Sequence, residues 1–199
     1  MWRIDKQFSL CYGHRVWSQE LHSEYCENFD DQCKCRHLHG HEGLVHIFLE
    51  GENLTRGMVT DFKHLGWLKT FLDDSLDHKF IIDRHDPNFQ KIMNTAYPIS
   101  TTSQSFITVD DHQLSFQKIT IPGSDDIVAY RLNTDVLDSP LEREFYQSFV
   151  IVDFVPTSEN LSKWIFDIAT IRMEKLGIKV SQVDWFETPK SRSTYYRPA

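Results

Sequence analysis

The stretch CKCRHLHGH, residues 33–41, holds two cysteines and three histidines in a chain with four cysteines and ten histidines in all. Imidazoles and thiolates are the usual ligands of zinc and also frequent proton carriers, so the cluster points to a metal site, a catalytic site or both. His39 and His41 lie two apart. In a strand such residues project to one side, roughly 6.6 Å apart along the backbone, and both rings can lean onto one ion. Gly40 between them avoids crowding.

A catalytic zinc needs a third protein ligand and an open fourth position. His14 is the candidate. Positions Trp2, Ile4, Lys6, Phe8, Leu10, Tyr12 and His14 are nearly all apolar, and that period of two marks a strand whose buried face ends at His14. A lone histidine there would be read as a satisfied sheet residue; H-G-H beside two cysteines favours the metal. Cys33 and Cys35 admit two readings. With two histidines they would close a structural zinc, but C-x-C is tighter than finger spacing and a closed site excludes substrate. Alternatively, a thiol beside Lys34 and Arg36 sits in the electropositive setting of a base or nucleophile. Cys11 and Cys26 lack that context and are read as core or bystander thiols.

The elements that must carry these groups follow from periodicity. A second strand is expected from near Leu38, with His39, His41, Val45, Ile47 and Leu49 on one face and Gly51 closing it. Phe62, Leu65, Leu68, Leu72 and Leu76 form the stripe of a helix capped by Asp61, ending just before Asp77 and His78. Residues 84–148 read as an insertion or elaborated hairpin, in which LSFQKITI and DIVAYRL are separated by Pro122, Gly123 and Ser124. FVIVDFV, 149–155, is a buried strand. Thr157 caps a helix with the stripe Leu161, Trp164, Ile165 and Ile168, stopped by Gly177. A last strand, VSQVDWFE, sets Val183, Trp185 and Glu187 on one face. The order strand, strand, helix, strand, helix, strand predicts one α+β domain with a mostly antiparallel sheet and an insertion at about 84–148.

Composition sets the outer bounds. With 199 residues, 40% hydrophobic and 13% aromatic, the chain can bury one sizeable core. Its net charge of -8 argues against nucleic-acid or anionic-membrane partners, which require a basic face. No apolar run reaches the roughly 18 residues of a membrane span, and the first residues, MWRIDKQFSL, lack the apolar stretch of a secretory leader. The expectation is a cytoplasmic protein with reduced thiols.

Five separated pieces, FSLCYGHRV at 8–16, CRHLHGH at 35–41, GMVTDF at 57–62, LDH at 76–78 and PTSEN at 156–160, followed by Glu187 and Thr188, resemble in order the 6-pyruvoyl- and 6-carboxy-tetrahydropterin synthase family. The resemblance implies a tunnelling fold (T-fold): a four-stranded antiparallel sheet with two helices on one face, here carrying the insertion between the first helix and the third core strand. It also implies a homo-oligomer, usually a dimer of trimers, with sites between subunits, so that Asp77 and His78 can serve a neighbour's metal.

The matching His14, His39 and His41 would hold a zinc ion that binds the side-chain hydroxyls of 7,8-dihydroneopterin triphosphate. The family's cysteine is separated from H-G-H by three residues in the carboxy branch, where Cys35 fits, and by five in the pyruvoyl branch, where Cys33 fits. Cys35 is preferred because the L-H-G-H context resembles the carboxy branch. Asp77 and His78 resemble the family's charge-relay pair, although a histidine at a helix C-terminus is also ordinary dipole chemistry. Glu187 resembles the glutamate that anchors the pterin by accepting two hydrogen bonds. Thr157 and Glu159 match a motif near the pterin, and a helix cap with a first-turn acid explains them equally well.

The implied reaction is a zinc-dependent lyase step giving 6-carboxy-5,6,7,8-tetrahydropterin, acetaldehyde and triphosphate on the route to queuosine. Its alternatives are a pyruvoyl-type lyase that keeps the carbon chain, and a non-catalytic structural-zinc protein. Lys34, Arg36, Lys190 or Arg192 could meet the triphosphate, or be simply solvated.

Overall fold

The alternation read in the first strand reappears as a long antiparallel ribbon. A computed structural model describes residues 1–24, 33–95, 104–120 and 129–197. Strand β1 (Trp2–His14) pairs with β2 (His39–Gly51) along its whole length, from Trp2 opposite Gly51 to His14 opposite His39. Phe8, Leu10 and Tyr12 of β1 and Val45, Ile47 and Leu49 of β2 are buried on one face, together with Val183 and Trp185 of β8 (Lys179–Thr188). Trp2, at the open end of the even-numbered row, is exposed.

Two helices cover that face. Asp61 accepts a hydrogen bond from the Lys63 N–H and starts a 3-10 turn at Phe62–Leu65, which continues into α1 (Gly66–Ser75). Leu65, Leu68, Leu72 and Leu76 of the expected stripe are fully buried, whereas Phe62 is exposed, because the 3-10 turn rotates it off the helical row. Among the described residues, four further strands and two short helices intervene before β7 (Phe149–Val152). Thr157 caps the last helix, Ser158–Glu174, by accepting from the Asn160 N–H, and Gly177 beyond its end takes the left-handed φ of 69°.

The four-stranded antiparallel sheet with two helices requires correction. The sheet has nine strands in the order β4-β5-β6-β7-β3-β1-β2-β8-β9, with β3 (Lys79–Asp83) parallel to both β1 and β7, and the chain has four α-helices among the described residues. The two extra helices are α2 (Phe89–Ile92) and α3 (Pro140–Gln147), which makes Ser158–Glu174 helix α4. Of residues 84–148, the described parts contribute α2, β4 (Phe106–Val109), β5 (His112–Lys118), β6 (Ala129–Leu132) and α3. Pro122, Gly123 and Ser124 lie outside the described residues. The last strand, β9 (Ser191–Tyr196), folds back along β8.

The physical reason for the larger sheet is a second core. Ile81, Val150 and Val152 join the cluster under α1 and α4, while Ile82, Phe149 and Ile151 point the other way into a cluster with Phe89, Met93, Leu114 and Tyr146. Strands β3 and β7 are therefore buried on both faces, and a strand so buried shows a continuous apolar run in place of alternation.

At Gly40 the two backbones of the ribbon come close together. A Cβ there would stand 2.9 Å from the Tyr12 carbonyl oxygen, closer than side chains tolerate. Gly40→Ala is expected to destabilise the fold by about 1–3 kcal/mol by forcing β1 and β2 apart beside the histidines; urea unfolding measures it, and a midpoint equal to wild type would show that the backbone absorbs the methyl.

Candidate metal centre and its surroundings

The β1–β2 register decides where the histidines meet. His14 is directly opposite His39, and His41 is opposite Tyr12, so all three rings lie on one face at one end of the ribbon. One ligand atom from each lies within 4.8 Å of the others. His14 is fully buried, and its Nδ1–H donates to the Pro156 carbonyl at 2.6 Å, which leaves Nε2 as a lone pair 3.1 Å from Nε2 of His41. His39 donates from Nδ1 to the His37 carbonyl at 2.8 Å, so its Nε2 is likewise free to accept.

The donor set fits a divalent metal. Backbone carbonyls fix the tautomers of two of the three imidazoles, as the outer partners of metal-bound histidines do. Burial, outweighing the Pro156 hydrogen bond, pulls the His14 pKa down to about 4, and the neighbouring His39 and His41 push in the same direction. Burial and His39 also lower His41. Neutral imidazole is the form that binds a metal, and burial favours that form at His14 and His41.

Glu187 closes a third side. By the pairing of Leu44 with Phe186 it follows on from Trp185 along the same face of β8, and its carboxylate oxygen lies 3.8 Å from His14 Nε2. Burial raises its pKa, nearby Glu159 raises it further, and His39 opposes both. Glu187 and His41 line a common cavity of about 570 Å³.

The pair Asp77–His78 sits on the opposite flank of β1. Asp77 accepts from the Cys11 N–H at 2.6 Å, His78 Nδ1 donates to the other Asp77 oxygen at 2.9 Å, and the His78 N–H donates to the Cys11 carbonyl at 2.6 Å. The Cys11 and His78 bonds hold Asp77 below the usual carboxylate range, against a smaller opposing effect of burial. His78 has a left-handed backbone, φ 56°, and shares a second cavity of about 420 Å³ with His41. Among the described residues, no hydrogen bond or ion pair joins this pair to the triad.

Cys35 lies in the 3-10 turn Lys34–Arg36 and is partly exposed, whereas Cys33 is buried with 1% of its surface accessible. Neither joins the metal-competent group, which among the described residues contains the three histidines alone. Cys11, expected as a core or bystander thiol, is exposed; Cys26 lies outside the described residues. The Thr157 hydroxyl is used as the α4 cap, and Glu159 reaches the centre only through its charge on Glu187. Sequence reasoning missed the Pro156 carbonyl. The one signal available was its place directly before a capping threonine.

Across residues 3–198 the chain matches the family model described as 6-pyruvoyl tetrahydropterin synthase. It belongs to that family. A curated relative, the 6-carboxy-5,6,7,8-tetrahydropterin synthase of Aquifex aeolicus, is 26% identical over 98% of this chain and 97% of its own. Among solved structures, an uncharacterized protein of Wolinella succinogenes, WS1659, is 40% identical with a TM-score of 0.82, covering 99% of this chain and 98% of the other. The 6-pyruvoyl tetrahydropterin synthase of Caenorhabditis elegans is 22% identical with a TM-score of 0.51 over 98% and 95% of the two chains. That likeness shows the fold: a T-fold, whose sheet in this family member has nine strands among the described residues. No helix among the described residues is long and apolar enough to cross a membrane.

The buried His14 gives the metal-free protein a pH-dependent stability. Its pKa falls from 6.5 unfolded to about 4 folded, so between those values the unfolded chain binds more protons and stability rises with pH. Acidification from pH 6.5 to 4 is expected to remove about 3 kcal/mol through this group. Denaturation midpoints across that range test it against His14→Ala; an equal slope in the variant would assign the dependence to other groups.

Proposed function

We propose that the chain is a zinc-dependent 6-carboxy-5,6,7,8-tetrahydropterin synthase, converting 7,8-dihydroneopterin triphosphate and water to 6-carboxytetrahydropterin, acetaldehyde and triphosphate in queuosine synthesis. The observation that carries the reading is the convergence of three imidazoles, two with their tautomers fixed by carbonyls, beside a half-buried glutamate and an accessible thiol at the carboxy-branch spacing. The Aquifex aeolicus relative, matched over nearly its whole length, supports the same branch.

His14, His39 and His41 hold the metal, which when bound supplies Lewis acidity toward the hydroxyls of the substrate side chain. Glu187 accepts from the pterin amino and ring N–H groups, orienting the ring beside the triad. Thr157, the cap of α4, and Glu159, in its first turn, complete the substrate-binding candidates. The Cys35 thiolate removes the proton from the side-chain carbon next to the ring. His78, its Nδ1–H held by Asp77, carries protons from Nε2. In the homo-oligomer we propose, a dimer of trimers in the cytoplasm, that pair serves a neighbour's zinc. We take the chain as one domain, with 84–148 its insertion.

The pyruvoyl-type alternative would place the base at Cys33, whose burial opposes it. A structural zinc would need cysteine ligands, and the group competent for a metal contains none among the described residues.

Incubating the zinc-loaded protein with 7,8-dihydroneopterin triphosphate is expected to release acetaldehyde and 6-carboxytetrahydropterin. Cys35→Ala should lower kcat by about 10²–10⁴-fold, the range for loss of a general base, with Cys33→Ala close to wild type. A three-carbon pterin product, or loss of turnover in Cys33→Ala alone, would overturn the assignment. Removing the metal with a chelator should abolish turnover and leave the protein folded; unfolding on removal would favour a structural zinc.

A further inference from the structure

The loop after β1, residues 15–19, joins the first metal-competent histidine to the turn that carries Cys35. Both backbone polar groups of Cys35 end on it: the Val16 N–H donates to the Cys35 carbonyl at 2.7 Å, and the Cys35 N–H donates to Gln19 Oε1 at 2.9 Å. Arg36 Nε donates to the Gln19 carbonyl at 2.6 Å, and the loop closes on itself through Gln19 N–H to the Val16 carbonyl at 3.1 Å.

On its other side the loop is gripped by the turn that opens the 84–148 stretch. Arg15, next to His14, places Nε 3.1 Å from the Asp86 carboxylate, and the two side chains retain 11% and 0% exposure. With its amide oxygen turned to Arg15, Asn88 accepts from Nη1 at 3.0 Å and Nη2 at 3.3 Å. Asp86 is itself oriented by the Asn88 N–H at 2.8 Å. Trp17 donates from Nε1 to the buried Asp83 at 2.9 Å, and the other Asp83 oxygen accepts the His85 N–H at 2.9 Å.

We propose that residues 83–88 form a clamp that sets the position of the Cys35 thiol relative to the histidine triad, with Asp86 and Arg15 as positioning residues acting through the 15–19 loop. The physical case rests on where the bonds lie. The loop has no ladder partners of its own, and its backbone bonds to the cysteine turn transmit whatever position its anchored side chains take. A buried ion pair adds little net stability, yet it tolerates few geometries, because loss of one partner leaves a charge in a site without water. Alternate side chains of the loop are held from the 83–88 side while Val16, between them, meets Cys35, so displacement of Arg15 moves His14's neighbour and Cys35's support together. The catalytic consequence rests on Cys35 being the base; the clamp itself does not.

The test is the rate of alkylation of each cysteine by iodoacetamide, read peptide by peptide by mass spectrometry. Cys33, buried one residue from the Cys35 turn, reports global opening. In Asp86→Asn, which keeps the shape and removes the charge, Cys35 should react faster by on the order of fivefold, the effect of freeing about 1 kcal/mol of restraint, with Cys33 unchanged. Arg15→Met should behave alike, and Arg15→Lys, which keeps the charge, should recover part of the protection. Turnover in Asp86→Asn should fall through kcat more than through KM. An unchanged Cys35 rate in Asp86→Asn and Arg15→Met, or a parallel rise at Cys33, overturns the clamp. Altered Cys35 reactivity together with full turnover in Cys35→Ala would keep the clamp and overturn the catalytic assignment.

Discussion

The register between β1 and β2 is the constraint on which the site depends. Sliding β2 against β1 by a single residue would turn Val45, Ile47 and Leu49 to the uncovered face. Each such side chain stabilises the fold by about 1.5–3 kcal/mol through burial, so the slip is excluded by a wide margin. His14 opposes none of this, although an imidazole without water is a cost rather than a gain. The hydrophobic column sets the alignment, and the histidines at its end meet as a consequence. Gly13 and Gly40, facing each other between the rings, allow the backbones to come close enough.

The same logic separates what was legible in the residues from what was not. Alternation exposed β1, β2 and β8, and three-to-four spacing with capping residues exposed α1 and α4, because each has one wet face and one dry one. KFIID of β3 has no such contrast, being covered on both sides, and SRSTYY of β9 is a largely polar edge strand. Neither offers a pattern to read. In the site, the triad was legible because side-chain type and spacing carry it. The Pro156 carbonyl was not, since a backbone oxygen has no residue signature and its aim depends on how the β7–α4 turn crosses the end of β1.

Glu187 and the pair Asp77–His78 approach the ribbon from different sides, and His41 borders both of the cavities they line. The centre is thus open on two flanks, with burial concentrated at His14. The arrangement suits a ligand presented along the sheet end between a carboxylate and an exposed imidazole.

The parallel pairing of β3 with β7 bears on how the chain reaches this state. Adjacent antiparallel strands close through short loops, but these two become neighbours only when the whole of 84–148 has been looped between them. Contacts so distant along the chain lower the entropy of the ensemble before any burial rewards them, and they slow folding. The β1–β2 ribbon is comparatively local in sequence; the β3–β7 seam and the β2–β8 pairing are not. The carbonyl that orients His14 follows shortly after β7, so the metal centre is completed only after a closure between distant parts of the chain.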